Sequence, residues 1–155
     1  MTQETGAERQ RWMHTLAMAE TDALATAWDE WAPKPEVEAI RGPEAGLVMV
    51  RSRIDAGGAK FNLGEATVAR ATVRLHGEAL ADDVLGTSYV LGTDLEHARL
   101  AAIFDGLLLD EAHRQRVQAE VIRPLADRQL ARDEERRADA RSTLVDFFTV
   151  SREHE

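Results

Sequence analysis

Ala69, Ala71, Val73 and Leu75 alternate with Val68, Arg70, Thr72 and Arg74. That two-residue period belongs to a strand with one apolar and one polar face, and the apolar face needs cover. The cover follows within a few residues. Thr93-Asp94-Leu95-Glu96 has the spacing of a capping box. Behind it Leu100, Ile103, Phe104, Leu107 and Leu108 recur at helical intervals. A strand that needs a lid, followed by a helix able to be one, points to an α+β fold in which helices cover a sheet.

The rest of the chain extends that scheme. Between residues 7 and 32, Trp12, Leu16 and Ala19 form one helical stripe and Leu24, Ala27, Trp28 and Trp31 a second. Two N-terminal helices are therefore expected, the second capped by Thr21 and ended by Pro33 and Pro35. The tryptophans read as core on such stripes. From 36 to 92, β-rich runs are separated by turn signals at Gly42-Pro43, Gly57-Gly58 and His76-Gly77. They predict a mainly antiparallel sheet of about five strands, at 37–41, 47–54, 60–64, 66–75 and 86–91. Helices are expected over 93–141, with an interruption at Pro124. Beyond Asp127 they form a polar arm, in which Leu130 is the only apolar side chain larger than alanine up to Arg141. In 142–155, Leu144, Val145, Phe147, Phe148 and Val150 crowd into an apolar segment suited either to docking on a partner or to folding back onto the chain's own core. At 155 residues the chain is expected to form one domain, 1–155, burying roughly 70% of its unfolded surface.

Composition then narrows the function. A net charge of -9, without a sustained basic block, argues against a nucleic-acid partner. With no cysteine, the chain supplies neither a disulfide nor a thiolate metal site. The N-terminus lacks the pattern of a secretory signal, and no apolar run reaches the ~20 residues of a membrane span, so a cytoplasmic location and no membrane partner are expected. The five histidines show no metal-ligand spacing. Ser88 lies in Gly86-Thr87-Ser88-Tyr89-Val90, which lacks the second glycine of a nucleophile elbow. No dinucleotide fingerprint or phosphate loop is present. The sequence thus identifies no catalytic, cofactor-binding or metal residue. Arg51 and Arg53 on one strand, with Arg70 and Arg74 on another, are candidates for gripping an anion if their faces meet, or for a solvated face paired with glutamates. His97 is read as a surface helix histidine.

The segment Lys60-Phe61-Asn62-Leu63-Gly64-Glu65-Ala66-Thr67-Val68-Ala69-Arg70, continued to Leu75, resembles the PhnG family, the small G subunit of the bacterial carbon–phosphorus lyase core complex. Gly86-Thr87-Ser88-Tyr89-Val90-Leu91-Gly92-Thr93-Asp94, His97-Ala98, the opening Arg9-Gln10-Arg11-Trp12-Met13 and the closing Val145-Asp146-Phe147-Phe148-Thr149 extend the likeness in order over nearly the whole chain. Thr93 and Ala71 depart from it, standing where the family often has Arg and Cys.

The resemblance implies an accessory subunit that works with the H, I and J subunits, chiefly I and J. In that pathway, the resemblance implies, the I subunit, supported by G, H and a separate L protein, displaces adenine from ATP with a phosphonate to give a ribose 1-phosphonate 5-triphosphate. No cofactor is expected on this chain. ATP as substrate and an iron–sulfur cluster belong to partner subunits in that picture. The candidate interface or anion-contacting residues are Arg51, Arg53, Phe61, Asn62, Arg70, Arg74, His97, Phe147 and Phe148. Two other readings stand beside it: direct use of Arg70 or Arg74 in a shared active site, and a stand-alone small-ligand binding protein. The isolated chain is also expected to be able to pair with itself.

Overall fold

The computed structural model describes residues 2–54 and 57–142. In chain order the elements are helices α1 (Thr2–Ala17) and α2 (Thr21–Asp29), strands β1 (Glu36–Ser52), β2 (Phe61–His76) and β3 (Val84–Leu91), and helix α3 (Leu95–Leu109). Helix α4 (Glu111–Val117), a π-helical turn (Gln118–Ile122) and helix α5 (Arg123–Ser142) follow without a break. The α+β class and the helices at both ends agree with the sequence. The strand number does not: there are three antiparallel strands in the order β1-β2-β3, and not about five.

Two mergers account for the difference. Gly42-Pro43 is not a turn. It lies inside β1, where the register against β2 slips between Ala39 and Arg41 and again between Arg41 and Glu44. Extra residues accommodated as bulges let the strand carry a proline without ending. Gly64 likewise interrupts nothing, because β2 pairs with β1 on both sides of it, Asn62 with Arg51 and Ala66 with Val48.

Ala69, Ala71, Val73 and Leu75 are all buried, on the face that the alternation predicts. Helix α3 lies against that face, and its apolar residues Leu100, Ile103, Phe104, Leu107 and Leu108 are fully enclosed. It is covered on its other side too. Trp12 and Leu16 of α1, Leu24 of α2 and Val117 of α4 join the same cluster, so α3 runs between the sheet and the remaining helices. Trp28 and Trp31 meet Phe104 edge-on, each with ring centroids 6.3 Å apart. The tryptophan stripe is core, as its spacing suggests.

Three details of helix ends differ from the sequence reading. Asp94, not Thr93, caps α3, its side chain accepting from the His97 amide at 2.9 Å. Glu96 does not reach back to the cap; it pairs with Arg99 at 2.6 Å, which completes no capping box. Thr21 does not cap α2, where Glu20 holds that position. The Thr21 hydroxyl instead donates to Asp94 at 2.6 Å and ties α2 to the start of α3. At Pro124 the helix continues. The π-helical turn just before it widens the backbone where proline has no amide to donate.

The Asp94 carboxyl is held below the usual carboxylate range, first by the His97 amide and then by the Thr21 hydroxyl. Its folded value is thus the lower one, so its contribution is present above the unfolded value and lost as pH falls through the folded one. Asp94→Ala is expected to cost about 1 kcal/mol at neutral pH, within the range of lost helix caps. The difference in urea midpoint between wild type and variant should shrink on acidification below about pH 4, where an unperturbed aspartate protonates.

Candidate partner-docking surface

The side chains best placed for chemistry are committed to holding the fold. Asp105 sits mid-helix in α3 with 0% exposure. It accepts from Arg9 Nη2 at 2.7 Å and Nε at 3.2 Å, from Trp12 Nε1 at 2.9 Å and from the Thr87 amide at 2.9 Å. One carboxylate therefore joins α1, α3 and β3. His97 is not on the surface as expected. It is buried, and its Nε2 lies 2.8 Å from the Leu16 carbonyl oxygen at the end of α1. Asp110 caps α4 through the His113 amide and lies 2.6 Å from His113 Nδ1. Arg114 donates to the Leu108 and Leu109 carbonyls at the end of α3. Ser88 is buried and donates to the Ala98 carbonyl at 2.6 Å. Among the described residues no group of three or more His, Cys, Asp or Glu side chains is arranged to hold a metal ion. None of the helices described is long and apolar enough to cross a membrane.

The four candidate arginines do not come together. Arg70 donates to Glu44 at 2.9 Å and Arg74 lies 3.3 Å from Glu38, each pair directly across the β1–β2 ladder. Glu44 also accepts from Arg41 at 2.9 Å, and the two guanidinium groups, Arg41 first, hold its carboxyl below the usual range. Arg51 pairs in register with Asn62, eight residues along β2 from Arg70, so about 26 Å separates the two arginine positions. Arg53 lies just past the end of β1. Phe61 opens β2 opposite Ser52 and is exposed. Phe147 and Phe148 lie outside the described residues.

Beside these ion pairs the sheet leaves large apolar side chains uncovered. On the face away from α3, β3 presents Leu85, Tyr89 at 57% exposure and Leu91 at 79%. From Leu47 onward, β1 and β2 run past the end of β3 as a two-stranded ribbon, 47–52 with 61–67. Its α3-side row carries Leu47 at 63% exposure, Met49 and Leu63, past the reach of α3. The opposite row carries Val48 and Val50. Sequence reasoning missed this surface because strand assignment does not say where a strand outruns its cover. The signal was there in Ala45-Gly46-Leu47-Val48-Met49-Val50, an uncharged run without the alternation of a half-buried strand. Asp105 was missed as well, although a lone carboxylate amid Ile103, Phe104, Leu107 and Leu108 marks a buried polar contact.

A family model described as phosphonate metabolism protein PhnG matches residues 7–153. The chain is 50% identical over 146 residues to the alpha-D-ribose 1-methylphosphonate 5-triphosphate synthase subunit PhnG of Rhizobium meliloti (strain 1021), covering 94% of this chain and 90% of the relative. The match spans both terminal helical regions and the sheet, including the ribbon, so this chain belongs to the PhnG family of phosphonate metabolism proteins.

Proposed function

We propose that this chain is an accessory subunit of a cytoplasmic, phosphonate-processing synthase, in which it binds the H, I and J subunits and supports formation of a ribose 1-phosphonate 5-triphosphate from ATP and a phosphonate. The observation that carries the reading is the contrast between the two halves of the molecule. The ionisable side chains of the core are engaged in structural bonds, while the sheet exposes large apolar side chains of β3 and of the ribbon. Contiguous apolar surface of that kind marks an interface. A relative half identical in sequence is described as a subunit of the corresponding synthase.

On this reading ATP and any iron–sulfur cluster are held by partner subunits. The arginines of the sheet serve the surface's electrostatics, since Arg70 and Arg74 each already face a glutamate. The tail with Phe147 and Phe148 adds a second apolar contact. The test is co-expression with the H, I and J subunits followed by size-exclusion chromatography. Co-elution is expected, with a smaller or dispersed assembly when this chain is omitted. Separate elution from an assembly of unchanged size would contradict the reading.

A further inference from the structure

We propose that the ribbon of residues 47–52 and 61–67 enters a slot in a partner subunit and is gripped on both faces, with carboxylates of the partner near its tip. The proposal rests on the subunit reading and specifies how the contact is made.

Two-faced burial follows from the side-chain rows. Leu47 and Met49 point to one side, Val48 and Val50 to the other, and Leu47, Met49 and Val50 are all exposed. A flat partner surface covers one row and leaves the other in water. Pairing of the free β1 edge with a second copy would satisfy backbone groups but leave both rows uncovered. A slot covers both. The ribbon also needs such support, because two strands without a third, or a helix against them, are marginally stable in water.

Charge points to the chemistry of the slot. Residues 47–67 carry three cations, Arg51, Arg53 and Lys60, against two carboxylates, in a chain whose net charge is -9. Arg51 and Lys60 are exposed at the ribbon's far end. A basic tip on an acidic body favours a partner that is acidic where the tip arrives, and disfavours insertion anywhere else along a neutral surface. Within the ribbon the remaining charge, Glu65, sits opposite Met49.

The experiment uses the full chain co-expressed with the H, I and J subunits. Two paired variants are made, L47K with M49K on one face and V48K with V50K on the other. Circular dichroism and thermal melting of each variant alone check that the fold is kept. The expected result is that each pair weakens association by ~100-fold or more, as buried charges at an interface centre do. A third variant, R51E with K60E, should weaken association less and with a marked dependence on salt. Loss with only one of the two lysine pairs would indicate docking by one face and overturn the slot. Full association of both would remove the ribbon from the interface. A dimer of the isolated chain that the same substitutions dissolve would give the ribbon to a second copy and overturn the proposal. Failure of the wild-type chain to associate would overturn the subunit reading itself, and is distinguished by occurring without any substitution.

Discussion

Asp105→Ala is expected to destabilise the chain by about 3–5 kcal/mol, because it leaves two buried donors without an acceptor. The carboxylate is fully buried and takes four hydrogen bonds. Its removal leaves the Trp12 indole N–H and the Thr87 amide without their acceptor, each a loss of about 1–3 kcal/mol where water cannot substitute. Arg9 suffers less, since its side chain is 35% exposed and can turn to solvent. The terms are not additive, because α1 can shift to admit water. A fall of about 10 °C or more in melting temperature follows for a domain of this size. The control is Arg9→Lys, which keeps a cation beside the buried carboxylate and keeps Trp12 and Thr87 satisfied, and should cost clearly less. Equal effects would mean that the guanidinium, and not the buried acceptor, carries the contribution.

Gly86→Ala is the second large effect. A Cβ at Gly86 would stand 1.9 Å from the Ala102 carbonyl oxygen and 2.6 Å from the Gly106 amide nitrogen. Both are backbone atoms of α3, so no side-chain rotation relieves the clash. Helix α3 would have to rise off the sheet, opening the layer between it and Val73, Leu75 and Val90. Overpacking ordinarily costs about 1–3 kcal/mol. A backbone collision at this distance places the variant among the rare losses above about 4 kcal/mol. Gly106→Ala makes the comparison, for its Cβ meets the Leu75 side chain at 2.7 Å, which can repack. Denaturant unfolding of the two variants should therefore rank Gly86→Ala as much the more severe.

These two positions also show what the sequence disclosed and what it withheld. The apolar face of β2 and the helix that covers it were legible, because each rests on a periodicity that only one secondary structure satisfies. Gly86 gave no hint of its closeness to α3, since its role depends on a helix that begins nine residues later. The same limit explains the strands. Gly42-Pro43 is a sound turn signal locally, but pairing with β2 continues across it through bulges. The Thr93 reading failed by one position, because Asp94 offers the same kind of cap and sits closer to the first helical residue. His97 looked like a surface residue on a helix assumed to be covered on one side only; α1 covers the other.

The candidate surface was less legible than the fold. Arg70 and Arg74 were identified as outward-facing, yet their partners Glu44 and Glu38 emerge only from the register. Arg51 and Arg53 were grouped with them by residue type, whereas the ladder carries Arg51 toward the far end of a ribbon. The ribbon itself depends on where β3 and α3 stop, and a single strand's composition does not encode that.

The proposed role, an accessory subunit that supports the synthase reaction, is tested most directly by adenine release. Purified H, I and J subunits, with the separate L protein, would be given ATP and methylphosphonate, with and without this chain at matched concentrations. The account predicts adenine release with the chain present and release at background level when it is left out, restored on adding the purified chain back. Equal release in both reactions would contradict it.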